Sequence, residues 1–295
     1  MSKLGYFTDN SVQRVRELLT GVHDFTRCER LDGTHYGTAG RCRKGVEVGQ
    51  ENEKRSIQKA FDEGEAFGKG DMGEVRLNAG PPPTVIKKGK IGQHEAEALT
   101  RLSGTGLAPS LVSVTPLKNE KLVNRIIFGG HVTSGDGMIQ MKEAKGKPLS
   151  SQSLSKEQKV EQIDSMMRAR ARMHLAGIAH NDTHDGNVFY DPKTKRTMFV
   201  DFGLSQIGSR HALVEALLTN KDSSSRTAFG EDDGQGSVLY RKFQENWGKV
   251  VSNLKFDSND SVEIRTKEAD LPPAIRNLSN SEVKEFLKSL YEGIL

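Results

Sequence analysis

Apolar positions change their period twice along the chain. In residues 1–60 only Ser11 to Thr20 spaces apolar side chains (Val12, Val15, Leu18, Leu19) as a short amphipathic helix does. The stretch from Asp32 to Gly49 is rich in Gly and Arg and reads as loop or extension. From Phe61 to about Gly146 the pattern turns to short strand-like runs punctuated by glycine and proline. Glu65–Phe67, Glu74–Leu77 and Thr84–Lys87 read as successive strands, with Asn78–Pro83 as the turn between the last two. A helix is predicted over Gln93 to Leu102. Further strand material follows Gly104–Pro109, at Ser110–Thr115, around Asn124–Phe128 and at Met138–Met141.

The second change comes at Ser155. A serine cap and the acidic Glu157 open a long helical segment to Gly177, with Val160, Ile163, Met167, Ala171 and Leu175 near helical spacing. Later helices are predicted at His211–Asn220, Ser237–Phe256 and Ser281–Tyr291, and their aromatic stripes read as core. Between the first two, Lys221–Gly236 is a polar, glycine-containing loop. The expected class is α+β, with strands gathered in the first half and helices in the second.

Composition narrows the setting. The 295 residues hold 43 Lys+Arg against 39 Asp+Glu, a net charge of +4 with histidine neutral, and 28% charged residues. No apolar run approaches the roughly 20 residues of a membrane-spanning helix, and the N-terminus lacks the apolar centre of a secretory signal. Neither a membrane protein nor a classically secreted one is expected; the expected location is cytoplasmic, in the producing cell or a host cell. Cys28 and Cys42 are too few for a disulfide scaffold. Residues 1–60 carry 11 Lys+Arg and 8 Asp+Glu, so this basic extension accounts for +3 of the +4. So mild an excess implies no nucleic-acid partner. His23, Cys28, His35 and Cys42 are of zinc-ligand type, but no pair has the short spacing that orients two ligands from one turn, and they read as unrelated loop residues.

Chemistry concentrates further on. Gly68-Lys69-Gly70-Asp71-Met72-Gly73-Glu74-Val75 has glycines at Gly68, Gly70 and Gly73 that let a hairpin backbone close over phosphates, and Val75 can cover a base. A strand rather than a helix follows, which disfavours a dinucleotide-binding phosphate turn. Twelve residues after Val75, Val85-Ile86-Lys87 puts a lysine at the end of an apolar strand. Such a lysine needs a carboxylate to hold its ammonium towards phosphates. Glu95 shares a helical face with Leu99 and Leu102 and points to the core, whereas Glu97 lines up with Arg101 as a solvated surface pair. Glu95 is therefore the expected partner, although only eight residues separate it from Lys87. The strongest signal is His180-Asn181-Asp182-Thr183-His184-Asp185-Gly186-Asn187, followed by Val200-Asp201-Phe202-Gly203. Asp182, Asn187 and Asp201 are three oxygen-bearing side chains that can converge on one metal–phosphate site.

Over roughly Phe61 to Leu295 the chain resembles the protein-kinase-like superfamily. The resemblance implies a bilobal fold, with an antiparallel-sheet N-lobe over about 61–141, a hinge over about 142–149 and a mainly helical C-lobe over about 150–295. Met141 looks like the gatekeeper, with the backbone of Lys142 to Ala144 facing adenine. It further implies ATP and Mg2+ as cofactors: Lys87 on the phosphates, oriented by Glu95; Asn187 and Asp201 on the metal; Asp182 accepting or orienting the substrate hydroxyl proton. His180 is expected to brace the loop. Two departures from typical protein kinases stand out. The loop reads H-N-D-x-H-x-x-N, with His184 similar to aminoglycoside and choline kinases, and Asp201-Phe202-Gly203-Leu204-Ser205 looks like compact RIO-like kinases, with no A-P-E after it. The mixture resembles small atypical kinases of microbes and their viruses. The implied activity is transfer to Ser/Thr hydroxyls of protein, including its own Ser223, Ser224, Ser225 or Thr227. The alternatives are a small hydroxyl or amine acceptor, and a nucleotide-binding pseudokinase or scaffold.

Overall fold

The computed structural model describes residues 54–70, 73–116, 123–127, 130–219, 236–255 and 273–295. The Ser11–Thr20 helix, the four zinc-type residues, Asp71, Met72, and the serines and threonine of the 221–236 loop lie outside the described residues.

The chain enters through helix α1 (54–63), which leads directly into β1 (Glu65–Gly70). Next come β2 (Gly73–Asn78), β3 (Thr84–Gly92), helix α2 (Gln93–Leu102), β4 (Leu111–Pro116), β5 (Val123–Ile127) and the long β6 (Gly130–Lys142). These strands form one six-stranded sheet in the order β1-β2-β3-β6-β4, with β5 also on β6 and every pairing antiparallel. The expected α+β class and antiparallel N-terminal sheet are both present.

Register sorts the sheet into two faces, because paired residues in antiparallel strands project together and their neighbours project oppositely. Val75 pairs with Lys87 and Lys87 with Ile139, while Leu77 pairs with Val85 and Val85 with Met141. Val75, Leu77, Val85, Lys87, Ile139 and Met141 therefore share one face. On the other, Ile86 and Met138 are fully buried under Ile57 and Phe61 of α1. The Arg76 guanidinium lies 4.8 Å and the Lys88 ammonium 5.2 Å from the centre of the Phe61 ring, closing that small core from its polar side. Helix α1 thus packs against the sheet, and its residues 54–60 fall inside the segment expected as an extension.

The rest is mostly helical, with short strands between. A brief β7 (Lys147–Pro148) precedes α3 (Lys156–Leu175), which Ser155 caps by the reciprocal bonding with Gln158 of a capping box. Then follow β8 (Ile178–Ala179), β9 (Val188–Asp191), β10 (Arg196–Phe199) and β11 (Gln206–Ile207). The helices α4 (Ser209–Thr219), α5 (Val238–Leu254), α6 (Pro273–Arg276) and α7 (Asn280–Leu290) complete the described chain. Ile163, Met167 and Ala171 of α3 are buried as expected, but Leu175 is exposed and Met166, Ala169 and Met173 are buried as well. Helix α3 is covered on two sides: one joins the core of α4, α5 and α7, the other joins α2, Ile139, Phe199 and Phe202. The second core ties the sheet to the helices. No described helix is long and apolar enough to cross a membrane.

Replacing Phe61, 4% exposed, by Ala is expected to cost about 3 kcal/mol. A urea titration checks this, and stability unchanged from the parent chain would show that α1 is not part of the sheet's core.

Candidate active site

Lys87 is not a strand-terminal surface lysine. Strand β3 continues five residues past it to Gly92, and α2 starts at Gln93 with no intervening loop. That continuity makes eight residues sufficient: Glu95, in the first turn of α2, places Oε1 2.8 Å from Lys87 Nζ. Asp201 Oδ1 lies on the same ammonium, also at 2.8 Å, from 114 residues away. Lys87 is 5% and Glu95 1% exposed. Burial alone would lower the lysine's pKa, but the charges of Glu95 and Asp201 outweigh it and hold the ammonium above its ordinary range. Burial likewise opposes Asp201's ionisation, and the Lys87 ammonium reverses it, so the carboxyl lies below its usual range.

Glu97 departs from expectation. It does pair with Arg101, at 2.7 Å, but is 1% exposed, so this is a buried carboxylate beside a partly exposed guanidinium and not a solvated pair. Helix α2 is covered on more faces than its apolar spacing indicates.

Asp201 is left-handed, at φ 58° and ψ 71°, and its Oδ1 accepts from Gly203 N–H at 3.4 Å. A Cβ on Gly203 would lie 3.2 Å from that oxygen and 3.5 Å from Lys87 Nζ. Phe202 is fully buried, its ring 4.6 Å from that of His180. This turn therefore fits closely around the Lys87 cluster.

The 180–187 loop is held from beneath by a residue no motif marks. Glu215, on α4, accepts from His180 N–H at 2.7 Å and Asn181 N–H at 3.0 Å, while His174 Nε2 lies 3.0 Å from the same carboxylate. Burial would raise Glu215's pKa; His174, Arg170 and His180 overcome that and bring it down to about 2. Asn181 is left-handed at φ 61°, and its amide nitrogen donates to Leu204 O and Gln206 Oε1. His180 Nε2 donates to Val200 O at 2.9 Å, and its Nδ1 accepts from Asp182 N–H at 3.3 Å. Those roles describe a neutral imidazole, and burial indeed lowers its pKa. His180 braces the loop.

Asn187 Nδ2 donates to Asp182 O at 3.0 Å and to Asp182 Oδ2 at 3.2 Å. With the amide nitrogen committed to Asp182, the oxygen is the atom Asn187 has to offer a cation. Asp201 keeps 45% of its side chain exposed despite the lysine. One carboxylate and one amide oxygen suit Mg2+, which takes few protein ligands and completes its shell with phosphate oxygens and water. No group of three His, Cys, Asp or Glu among the described residues could hold a metal ion.

The glycine hairpin forms as β1 and β2, with Gly70 paired to Gly73 and Gly68 to Val75. Its glycines have different reasons. A Cβ on Gly73, at φ 152°, would fall 2.3 Å from Lys88 O, so strand packing forbids any other residue. A Cβ on Gly68 would meet nothing within 4 Å among the described residues, so their packing does not require glycine there. Val75 and Met141 share the Lys87 face of the sheet. Of the predicted adenine-facing backbone, Lys142 N–H is already given to Ser110 O at 2.9 Å.

Glu215, Arg170 and Tyr291 were not singled out by motif. The available signal was a lone carboxylate within the otherwise buried run Ala212, Leu213, Val214, Ala216, Leu217, Leu218, since a charge there must be paired inside.

No protein-family model matches the chain, and none of the curated proteins does. Among solved structures, one described as "WaaP in complex with acyl carrier protein" is similar at 13% identity and a TM-score of 0.46, covering 68% of this chain and 86% of that one. A likeness at that level leaves the chemistry to be read from the residues themselves.

Lys87→Met would strand the buried Glu95 carboxylate without its cation, a change expected to cost about 3 kcal/mol of stability; chemical denaturation measures it, and an unchanged midpoint would count against the ion pair. A second expectation concerns acid. Burial lowers the pKa of His174 and of His180 below the ordinary 6.5, so unfolding takes up protons there and stability falls as pH drops through that value. Glu215, lowered from 4.5 to about 2, adds stability that is complete above 4.5 and lost as pH falls towards 2. Denaturation midpoints recorded across this range should decline in both windows, and Glu215→Gln should flatten the lower one.

Proposed function

We propose that the chain is an ATP- and Mg2+-dependent phosphotransferase with the two-lobed arrangement of the protein-kinase-like fold, acting on Ser/Thr hydroxyls of protein and able to phosphorylate itself. The observation that supports this most directly is the single Lys87 ammonium held at 2.8 Å by both Glu95 and Asp201. A glutamate–lysine pair beside an aspartate that keeps an exposed edge is the arrangement that phosphoryl transfer of the protein-kinase type uses. A Glu95 that failed to reach Lys87 would favour a non-catalytic nucleotide-binding protein, and no such failure is present.

In this reading Lys87 holds phosphate oxygens, Asn187 and Asp201 hold the metal, and the hairpin around Gly68 covers the phosphates. Bound Mg2+ would supply charge neutralisation at the transferring group. Asp182 orients the acceptor hydroxyl and receives its proton as the new P–O bond forms and ADP leaves. Little covalent work falls to the protein, so positioning and electrostatics carry the rate. A second reading draws on His184 and Asp185, whose side chains are 51% and 52% exposed beside Asp182 and could contact a small hydroxyl or amine acceptor.

The test is transfer of labelled γ-phosphate from ATP with Mg2+ by the purified chain, alone and with a generic protein acceptor. Label on protein is expected, falling at least 100-fold in Asp182→Ala and in Asp201→Ala while both variants stay folded. Nucleotide binding without labelled protein would move the acceptor to the small-molecule class, and label that survives in both variants would overturn the assignment of the site.

A further inference from the structure

We propose that Tyr291, on the last turn of the described chain, is a positioning residue for Asp182, acting through His174 and Glu215. The inference deepens the phosphotransferase reading, because it concerns the residue given the acceptor's proton.

The connection is continuous. Tyr291 OH lies 2.5 Å from His174 Nδ1, His174 Nε2 lies 3.0 Å from Glu215 Oε2, and that carboxylate receives the N–H groups of His180 and Asn181. Asp182 is the next residue. The direction of every proton is fixed by charge: Glu215 is ionised and only accepts, so His174 must carry its proton on Nε2. Its Nδ1 is then a bare lone pair, and the Tyr291 hydroxyl must donate to it. Burial keeps both members in the forms this needs, raising the phenol's pKa above its ordinary value and lowering that of His174. Tyr291, His174 and Glu215 are each at most 2% exposed, so no bulk water substitutes for a missing partner.

Arg170, 2% exposed, puts its positive charge near Glu215, His174 and Tyr291 and donates to the Thr183 hydroxyl. Asp182 therefore sits between a backbone pair tied to Glu215 and a side chain tied to Arg170. Tyr291 also has a packing role, since its ring stacks on Phe243 with centroids 5.5 Å apart. Substitution by phenylalanine removes the hydroxyl and keeps that ring.

Tyr291→Phe, made in the full chain, tests the idea with two independent readouts. Backbone hydrogen exchange of the segment containing His180 and Asn181 should speed up at least tenfold relative to the parent. Ile294→Val, which trims the same core without touching the chain of bonds, should leave that segment unchanged. In the double variant with Glu215→Gln, exchange should be no faster than in Glu215→Gln alone, because both act along one path. The second readout is γ-phosphate transfer, where kcat should fall about tenfold with KM for ATP unchanged, since Lys87 and the glycine hairpin are not involved. Parental exchange in Tyr291→Phe would overturn the proposal, as would a gain equal to that of Ile294→Val. Faster exchange in a chain whose parent transfers no phosphate would uphold the coupling and reject the phosphotransferase reading instead.

Discussion

A lysine ammonium that is 5% exposed can remain charged only where opposite charge is brought to it. Around Lys87 that requirement is met from two directions, by Glu95 on the helix that continues its own strand and by Asp201 from the turn after β10. Satisfying the one cation fixes the seating of α2 on the sheet and the position of the 201–203 turn beneath it. The apolar packing agrees: Leu99 and Leu102 of α2, Ile139 of β6 and Phe202 of the turn belong to a single buried cluster. The polar contact supplies direction and the apolar cluster supplies most of the stability, because a buried ion pair repays little beyond its own desolvation.

The opposite problem is solved on the helical side. Glu215 is a buried anion, and it is met by two backbone N–H groups, a neutral histidine and the field of Arg170. One centre is a cation surrounded by carboxylates and the other a carboxylate surrounded by donors. The 180–187 loop runs between them, with Asp182 bonded to Asn187 and backed by His180. The loop is thereby hydrogen-bonded at its base while the side chains of His184 and Asp185 stay exposed. In the proposed phosphotransferase such a division would hold the reacting groups firmly and still admit an acceptor.

Local features were legible wherever they depend on neighbours in sequence. The Gly68–Val75 hairpin, the α2 helix, the Ser155 cap and the Asp182-to-Asn187 loop follow from turn chemistry, capping and apolar period. Glu95 rather than Glu97 could be selected because helical spacing put it with Leu99 and Leu102. The same spacing misjudged Glu97, since it reports which face is apolar and not how many neighbours cover the others. It also missed α1, whose partners Ile86 and Met138 lie on strands distant in sequence.

By itself the sequence determined the first three strands and the helix after them, the capped start of α3 and the glycine hairpin, because each rests on periods and spacings of a few residues. Only the tertiary structure decided that β3 runs on into α2 without a loop, that Asp201 rests on Lys87, that Glu215 receives the N–H groups of His180 and Asn181, and that Tyr291 rests on His174. Those contacts join residues separated by 114 positions in one case and by 117 between His174 and Tyr291 in another. No local pattern records them: a buried charge specifies that it must be paired, and the packing of the whole chain selects the partner.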